Sequence, residues 1–177
     1  MRRRALFLDR DGVVNVDKGY VHSVADFEFT PGIFELLSDA KVQGFLLLLV
    51  TNQSGIARGY YSAQDFWALS THMQALLQTN LGFGLDRIYH CPHAPEACCE
   101  CRKPKLGMLA QALRDFSIDT AQSVMVGDKR SDMEFGLRGG IGVNLWLAPQ
   151  ELMSHPRLFC IEHLDQARAY LKSKSLI

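Results

Sequence analysis

The chain has 177 residues, 47% of them apolar, and its 19 Lys and Arg balance its 19 Asp and Glu. That length predicts one domain, residues 1–177, with a substantial buried core. The neutral balance argues against a nucleic-acid binder, and no apolar run comes near the roughly 20 residues that span a bilayer.

Arg2–Arg4 look like the start of a signal peptide, but the apolar run behind them, Ala5–Leu8, is stopped at once by Asp9. A soluble cytoplasmic protein is expected, and nothing in the sequence demands more than a monomer. Ala5–Leu8 itself reads as a buried strand. Pro31 opens a helical stretch, Gly32–Gln43, with Ile33, Leu36, Leu37 and Ala40 on one face. Phe45–Val50 is continuously apolar, the mark of a strand covered on both faces. Ser62 and Asp65 form a capping-box pattern that opens a helix to about Asn80. Then come a strand at Arg87–His90, a helix at Leu106–Phe116 and a strand at Ser123–Val126. A helix through Met133–Leu137, an apolar run at Ile141–Leu147 and a helix from about Leu164 follow. Strands alternating with helices imply βαβ units, hence an α/β fold with a mainly parallel sheet.

Open parallel sheets bind ligands outside the carboxyl ends of their strands. Asp9 and Asp11 follow the first predicted strand, Thr51, Asn52, Gln53 and Ser54 the second, and Gly127, Asp128 and Lys129 the fourth. Two acids two positions apart repel, and a third brought beside them sharpens the cost. A divalent cation offsets it, and a few carboxylates completed by water and phosphate suit Mg²⁺. With the Thr51 hydroxyl and the Lys103 charge, such a rim would take a phosphoryl group. Asp9 could then act as nucleophile, and Asp11 as acid and base. Taken singly, each residue has a plainer reading. An Asp after a strand is usually a turn residue or cap, Lys103 a solvated lysine, and Asp132 a first-turn acid favoured by the helix dipole. The combination favours the chemistry.

Four of the five cysteines crowd into Cys91–Cys101, which in a reducing compartment suggests a metal rather than disulfides. Cys91, His93, Cys99 and Cys101 have the form CxH…CxC, a closed structural zinc set. Cys98 competes with Cys99, and the CxC spacing favours Cys99. Cys160 reads as core, Trp67 and Trp146 as packing, and His72 as a helix residue. His22 divides evenly between the substrate loop and packing, and His90 ends a strand beside the cysteine loop.

The set LDRDG, VTN, RKP and VGD resembles the haloacid dehalogenase superfamily of phosphohydrolases over nearly the whole chain. That resemblance implies a Rossmann-like three-layer sandwich. It also implies Asp9 as nucleophile, Asp11 as acid and base, Thr51 and Lys103 on the phosphoryl oxygens, and Mg²⁺ on Asp9, the Asp11 main chain and Asp128. An acid at Asp11 points to phosphate-ester hydrolysis. NVDKGYVH, TNQSGIARG, CPH, CRKP, GM and VGDK narrow the match to D-glycero-D-manno-heptose 1,7-bisphosphate 7-phosphatases. That family implies a substrate site made by Asp17, Lys18, Gly19, Tyr20, Thr51, Asn52, Gln53, Ser54, Arg102 and Lys129, with Arg58 a weaker candidate. The implied pathway is the synthesis of nucleotide-activated heptose for cell-surface polysaccharide. No insert is long enough for a cap domain, so loops must supply specificity. The short stretch between His93 and Cys99 is closer to the related histidinol-phosphate phosphatases, which stay open as an alternative. A catalytically dead zinc module is a second, opposed by the intact acid and lysine set.

Overall fold

The computed structural model describes residues 2–173. Its elements in chain order are β1 (Ala5–Leu8), α1 (Ile33–Val42), β2 (Leu46–Asn52), α2 (Ala63–Leu81), β3 (Arg87–Cys91), α3 (Gly107–Asp115), β4 (Val124–Gly127), α4 (Arg130–Arg138), β5 (Val143–Leu147), β6 (Leu158–Ile161) and α5 (Leu164–Ser173). Single 3₁₀ turns occupy Pro95–Ala97 and Thr120–Gln122. The six strands form one parallel sheet in the order β3-β2-β1-β4-β5-β6.

The period of two in the strands sorts the core into two layers. Leu6, Leu8, Leu47, Leu49, Val124 and Val126 point to one face, where they pack on α1, α5 and the Met73–Leu77 turn of α2. Ala5, Phe7, Leu46, Leu48, Val50 and Met125 point to the other, against α3 and α4. Both faces of the central strands are therefore covered, which is why their sequences read as unbroken apolar runs. Each such Leu or Phe contributes about 1.5–3 kcal/mol on burial.

Local chemistry sets the ends. The Ser62 hydroxyl accepts from the Asp65 amide at 3.1 Å, and the Asp65 carboxylate accepts from the Ser62 amide at 2.8 Å, so the capping box opens α2. Arg168 on α5 donates to Asp39 on α1 at 2.8 Å and ties the last helix to the first. Strand order reverses between β1 and β4, and that switch point is where a doubly wound sheet opens a crevice. Asp9 and Asp128 stand at its two sides.

Three expectations change. The strand at Leu158–Ile161 has no counterpart in the sequence reading, which left Cys160 in an apolar core. β6 lies at the open edge of the sheet, and Cys160 is exposed on it. Trp67 is 45% exposed: it sits on the outer side of α2 and covers Phe66 and His90 rather than filling the core. Trp146, by contrast, is buried. No helix among the described residues is long and apolar enough to cross a membrane.

Candidate active site and cysteine cluster

The end of β1 delivers Asp9 into a buried position beside β4, where its amide donates to the Val126 carbonyl at 3.1 Å. The chain then turns through Gly12, whose φ is +87°. A Cβ at Gly12 would overlap the Asp128 carboxylate, so only glycine lets the β4 loop approach this closely. Gly127 does the same for α4, because a Cβ there would overlap the Asp132 side chain.

Lys103 reaches this point from the loop between β3 and α3. Its ammonium lies 3.0 Å from Asp9 Oδ1, 2.6 Å from Asp132 Oδ1 and 2.6 Å from the Val50 carbonyl oxygen. All three charged side chains are buried. Burial opposes charge on both Asp9 and Lys103, but pairing wins. Lys103 and Lys129 hold the Asp9 carboxyl below the usual carboxylate range, and Asp132 and Asp9 hold the Lys103 ammonium above its usual value. The site therefore keeps an ionised carboxylate at Asp9 without water around it.

Asp128 has the opposite character. Burial, and then the Asp9 charge, push its carboxyl up to about 7. Its Oδ1 is buried and makes no hydrogen bond. Oxygens of Asp9, Asp128 and Asp132 lie within 4.8 Å of one another. An orphaned carboxylate oxygen among converging acids fits a hard divalent cation. Asp132 is already committed to Lys103 and to the Lys129 amide, which it accepts at 3.0 Å. The Asp11 carboxylate is committed as well: Arg10 donates to both its oxygens at 3.0 Å, Asn15 to one at 3.1 Å and Gln53 to the other at 2.9 Å. A cation here would be held by the Asp9 and Asp128 carboxylates, with Asp11 available through its main chain.

Beside the acids opens a cleft of about 280 Å³, lined by Asp11, Asp17, Gly19, Tyr20, Asn52, Gln53, Ser54, Tyr61, Arg102, Lys129 and Ser131. Lys129 spans it, 4.0 Å from Asp128 and 3.5 Å from Asp17. Four residues expected to hold substrate behave differently. Lys18 is not on the cleft: it turns outward to an ion pair with Glu28 at 2.9 Å. Arg58 is exposed and also lies off the cleft. Asn52 lines the cleft, but both ends of its carboxamide are spent on the Lys103 main chain, at 3.0 and 3.1 Å. Gln53 likewise spends its carboxamide on Asp11, Thr51 and Tyr61.

The cysteine loop folds onto the end of β3. Cys91 Sγ, His93 Nδ1, Cys99 Sγ and Cys101 Sγ all lie within 4.8 Å of one another. The Cys91 and Cys101 sulfurs approach to 2.8 Å without a disulfide. Thiols that close fit a shared metal, and three sulfurs with one imidazole fit tetrahedral zinc. Burial raises the Cys91 thiol. At Cys99 burial is outweighed by hydrogen bonds, first from the Arg102 amide, and the thiol falls to about 6. Cys98 stays outside the cluster: it is exposed, and its carbonyl accepts from Lys105 at 3.1 Å. His90 is also outside, stacked on Phe66.

Sequence reasoning passed over Arg10, Tyr61, Ser131 and the site role of Asp132. Asp132 had a signal, because it stands four positions after Asp128 in the first turn of α4 and shares its exposure to the β4 end. Arg10 had one too: an arginine set between two acids needs a reason to be there.

Comparisons with known proteins place the chain in a family. Residues 100–147 match the family model described as HAD-hydrolase-like. The chain is 54% identical over 149 residues to D-glycero-beta-D-manno-heptose-1,7-bisphosphate 7-phosphatase of Helicobacter pylori, covering 84% of this chain and 86% of that one. It is 50% identical over 176 residues to the D-glycero-alpha-D-manno-heptose-1,7-bisphosphate 7-phosphatase of Campylobacter jejuni, covering 99% and 100%. Among solved structures, the D,D-heptose 1,7-bisphosphate phosphatase of B. bronchiseptica, complexed with magnesium and phosphate, superposes with a TM-score of 0.86 at 28% identity over 97% of this chain and 99% of that one.

Proposed function

The chain belongs to the heptose-1,7-bisphosphate 7-phosphatase family of HAD-like hydrolases, and from that premise we propose how its own residues perform the reaction. It hydrolyses the 7-phosphate of D-glycero-D-manno-heptose 1,7-bisphosphate. We assign it to the cytoplasm, as a single-domain monomer that feeds the synthesis of nucleotide-activated heptose for cell-surface polysaccharide. Asp9 attacks phosphorus, the bond from phosphorus to O7 breaks, and Asp11 gives its proton to the departing O7. The phosphoryl group now sits on Asp9. Asp11 takes a proton from water, the water oxygen attacks the same phosphorus, and inorganic phosphate leaves with Asp9 restored. Lys103 and the Thr51 hydroxyl hold the phosphoryl oxygens, while Arg10 keeps the Asp11 carboxyl facing them. Mg²⁺, held by Asp9, the Asp11 main chain and Asp128, would neutralise charge on the phosphoryl group and let two carboxylates sit beside it. Among the described residues no cap domain covers the site, so Asp17, Gly19, Tyr20, Ser54, Arg102, Lys129 and Ser131 meet the rest of the sugar. Arg102 offers a planar fork that suits the second phosphate. Zinc on Cys91, His93, Cys99 and Cys101 would clamp the loop that carries Arg102 and Lys103.

The observation that supports this reading best is a buried Asp9 carboxyl held 3.0 Å from the buried Lys103 ammonium at the sheet's switch point. The test is phosphate release from both anomers of heptose 1,7-bisphosphate and from histidinol phosphate, each with Mg²⁺ and with chelator. Mg²⁺-dependent release favouring one heptose anomer is the expected result. Preference for histidinol phosphate would overturn the substrate, and no release from any of them would overturn the mechanism.

A further inference from the structure

Gln53 is the hub of a buried relay that the reaction above leaves unused. Its Nε2 donates to Asp11 Oδ2 at 2.9 Å and to Thr51 Oγ1 at 2.9 Å. Its Oε1 accepts from the Tyr61 hydroxyl at 2.5 Å. Every hydrogen of that amide is in use, and the groups at its two ends are not interchangeable. A carboxylate can only accept, so the NH₂ end belongs at Asp11 and the carbonyl end at Tyr61. What holds that orientation is a donor at the far end. Without it, a half-turn of the amide would aim a carbonyl oxygen at the Asp11 carboxylate.

Tyr61 is built to be that donor. Its ring stacks on His22 at 5.0 Å between centroids and 4° between planes. It also lies so close to Gly55 that a Cβ there would overlap it. The ring has no freedom to swing its hydroxyl away. Burial pushes the phenol up to about 12, so it keeps its proton throughout the neutral range. The main chain beside the relay is fixed too, because the Gln53 backbone N–H donates to the Cys91 carbonyl at 2.8 Å.

We propose that Tyr61 is a positioning residue: through the Gln53 carboxamide it fixes the direction in which Asp11 presents its proton to the leaving oxygen. The proposal rests on Asp11 being the general acid.

The test is Tyr61→Phe, which keeps the stacked ring and removes only the hydroxyl, compared with Asp11→Asn. Each is assayed for kcat/KM, with Mg²⁺, on heptose 1,7-bisphosphate and on p-nitrophenyl phosphate. The heptose alkoxide needs a proton to leave, whereas p-nitrophenolate leaves without one. Because kcat/KM covers only steps up to release of the leaving group, the base role of Asp11 does not enter. For Tyr61→Phe the ratio of heptose to p-nitrophenyl kcat/KM should fall by about fivefold to tenfold, the share of one buried hydrogen bond. A merely structural role would lower both substrates together. If Asp11→Asn lowers the ratio and Tyr61→Phe leaves it within twofold of wild type, the positioning role is overturned and the mechanism stands. If Asp11→Asn itself leaves the ratio unmoved, Asp11 is not the acid and both fall.

Discussion

Lys103 Nζ lies 2.6 Å from Asp132 Oδ1, and neither side chain is more than 2% exposed. That pair, with Asp9 3.0 Å from the same ammonium, is the buried centre of charge on which the site is assembled. One cation faces two acids away from water, so removing the cation leaves both acids uncompensated. Breaking a buried pair costs about 3–5 kcal/mol. Lys103→Met should lower unfolding stability by that order in metal-free urea titrations, as well as abolishing turnover. Adding Asp132→Asn should restore part of the stability and none of the activity. A Lys103→Met protein as stable as wild type would mean that the two acids share a proton rather than relying on the lysine.

Asp9→Asn removes the nucleophile but keeps a side chain of the same shape beside Lys103. Lys103 retains Asp132 as partner, so the fold should survive. Turnover should vanish while the circular dichroism spectrum and melting transition stay close to wild type. Residual activity near the wild-type level would remove Asp9 from its assigned role.

The sheet and most of the rim could be read from the chain because they follow local rules. Unbroken apolar runs such as Phe45–Val50 come from strands covered on both faces, and the rule that ligands meet strand ends then names Asp9, Thr51 and Asp128 without any coordinates. What could not be read is where side chains turn after leaving the strand. Lys18 lies between Asp17 and Gly19, both on the cleft, yet it pairs with Glu28 outside it. Asn52 and Gln53 look like polar groups waiting for substrate, but their partners come from residues distant in sequence, Lys103 for one and Asp11 and Tyr61 for the other. Periodicity carries no information about such long-range polar pairing. β6 escaped for a related reason: an edge strand needs only one row of neighbours and leaves a short, half-exposed pattern.

Asp128 gives the site its pH dependence. Its carboxyl is raised from 3.8 to about 7, first by burial and then by Asp9. The folded, metal-free chain thus holds a proton there that the unfolded chain has already released. Stability from this group is fully present below pH 3.8 and is lost as pH rises through about 7. Mg²⁺ must displace the same proton, so its apparent affinity should weaken about tenfold for each pH unit below 7. Calorimetric titrations of Mg²⁺ in buffers of different ionisation enthalpy should show close to one proton released per ion at pH 6 and far less at pH 8. Equal release at both would place the raised carboxyl elsewhere.

The cysteine loop separates two roles that the sequence leaves side by side. Cys91, Cys99 and Cys101 converge with His93, while Cys98 points to solvent one position from a cluster member. The loop that follows carries Arg102, whose guanidinium donates to the His93 carbonyl at 3.2 Å, and Lys103, whose main chain is gripped by Asn52. The cluster therefore sits between β3 and the loop that carries both cations, Arg102 on the cleft and Lys103 among the buried acids. Cys98→Ser should keep one zinc per chain by atomic absorption, with wild-type melting and kcat. Cys91→Ser should lose the metal, lower the melting temperature and reduce kcat together, because Lys103 is no longer held against Asp9. Full activity in a zinc-free Cys91→Ser protein would show that Asn52 alone suffices to place Lys103. Loss of zinc on Cys98→Ser would put Cys98, not Cys99, in the fourth position.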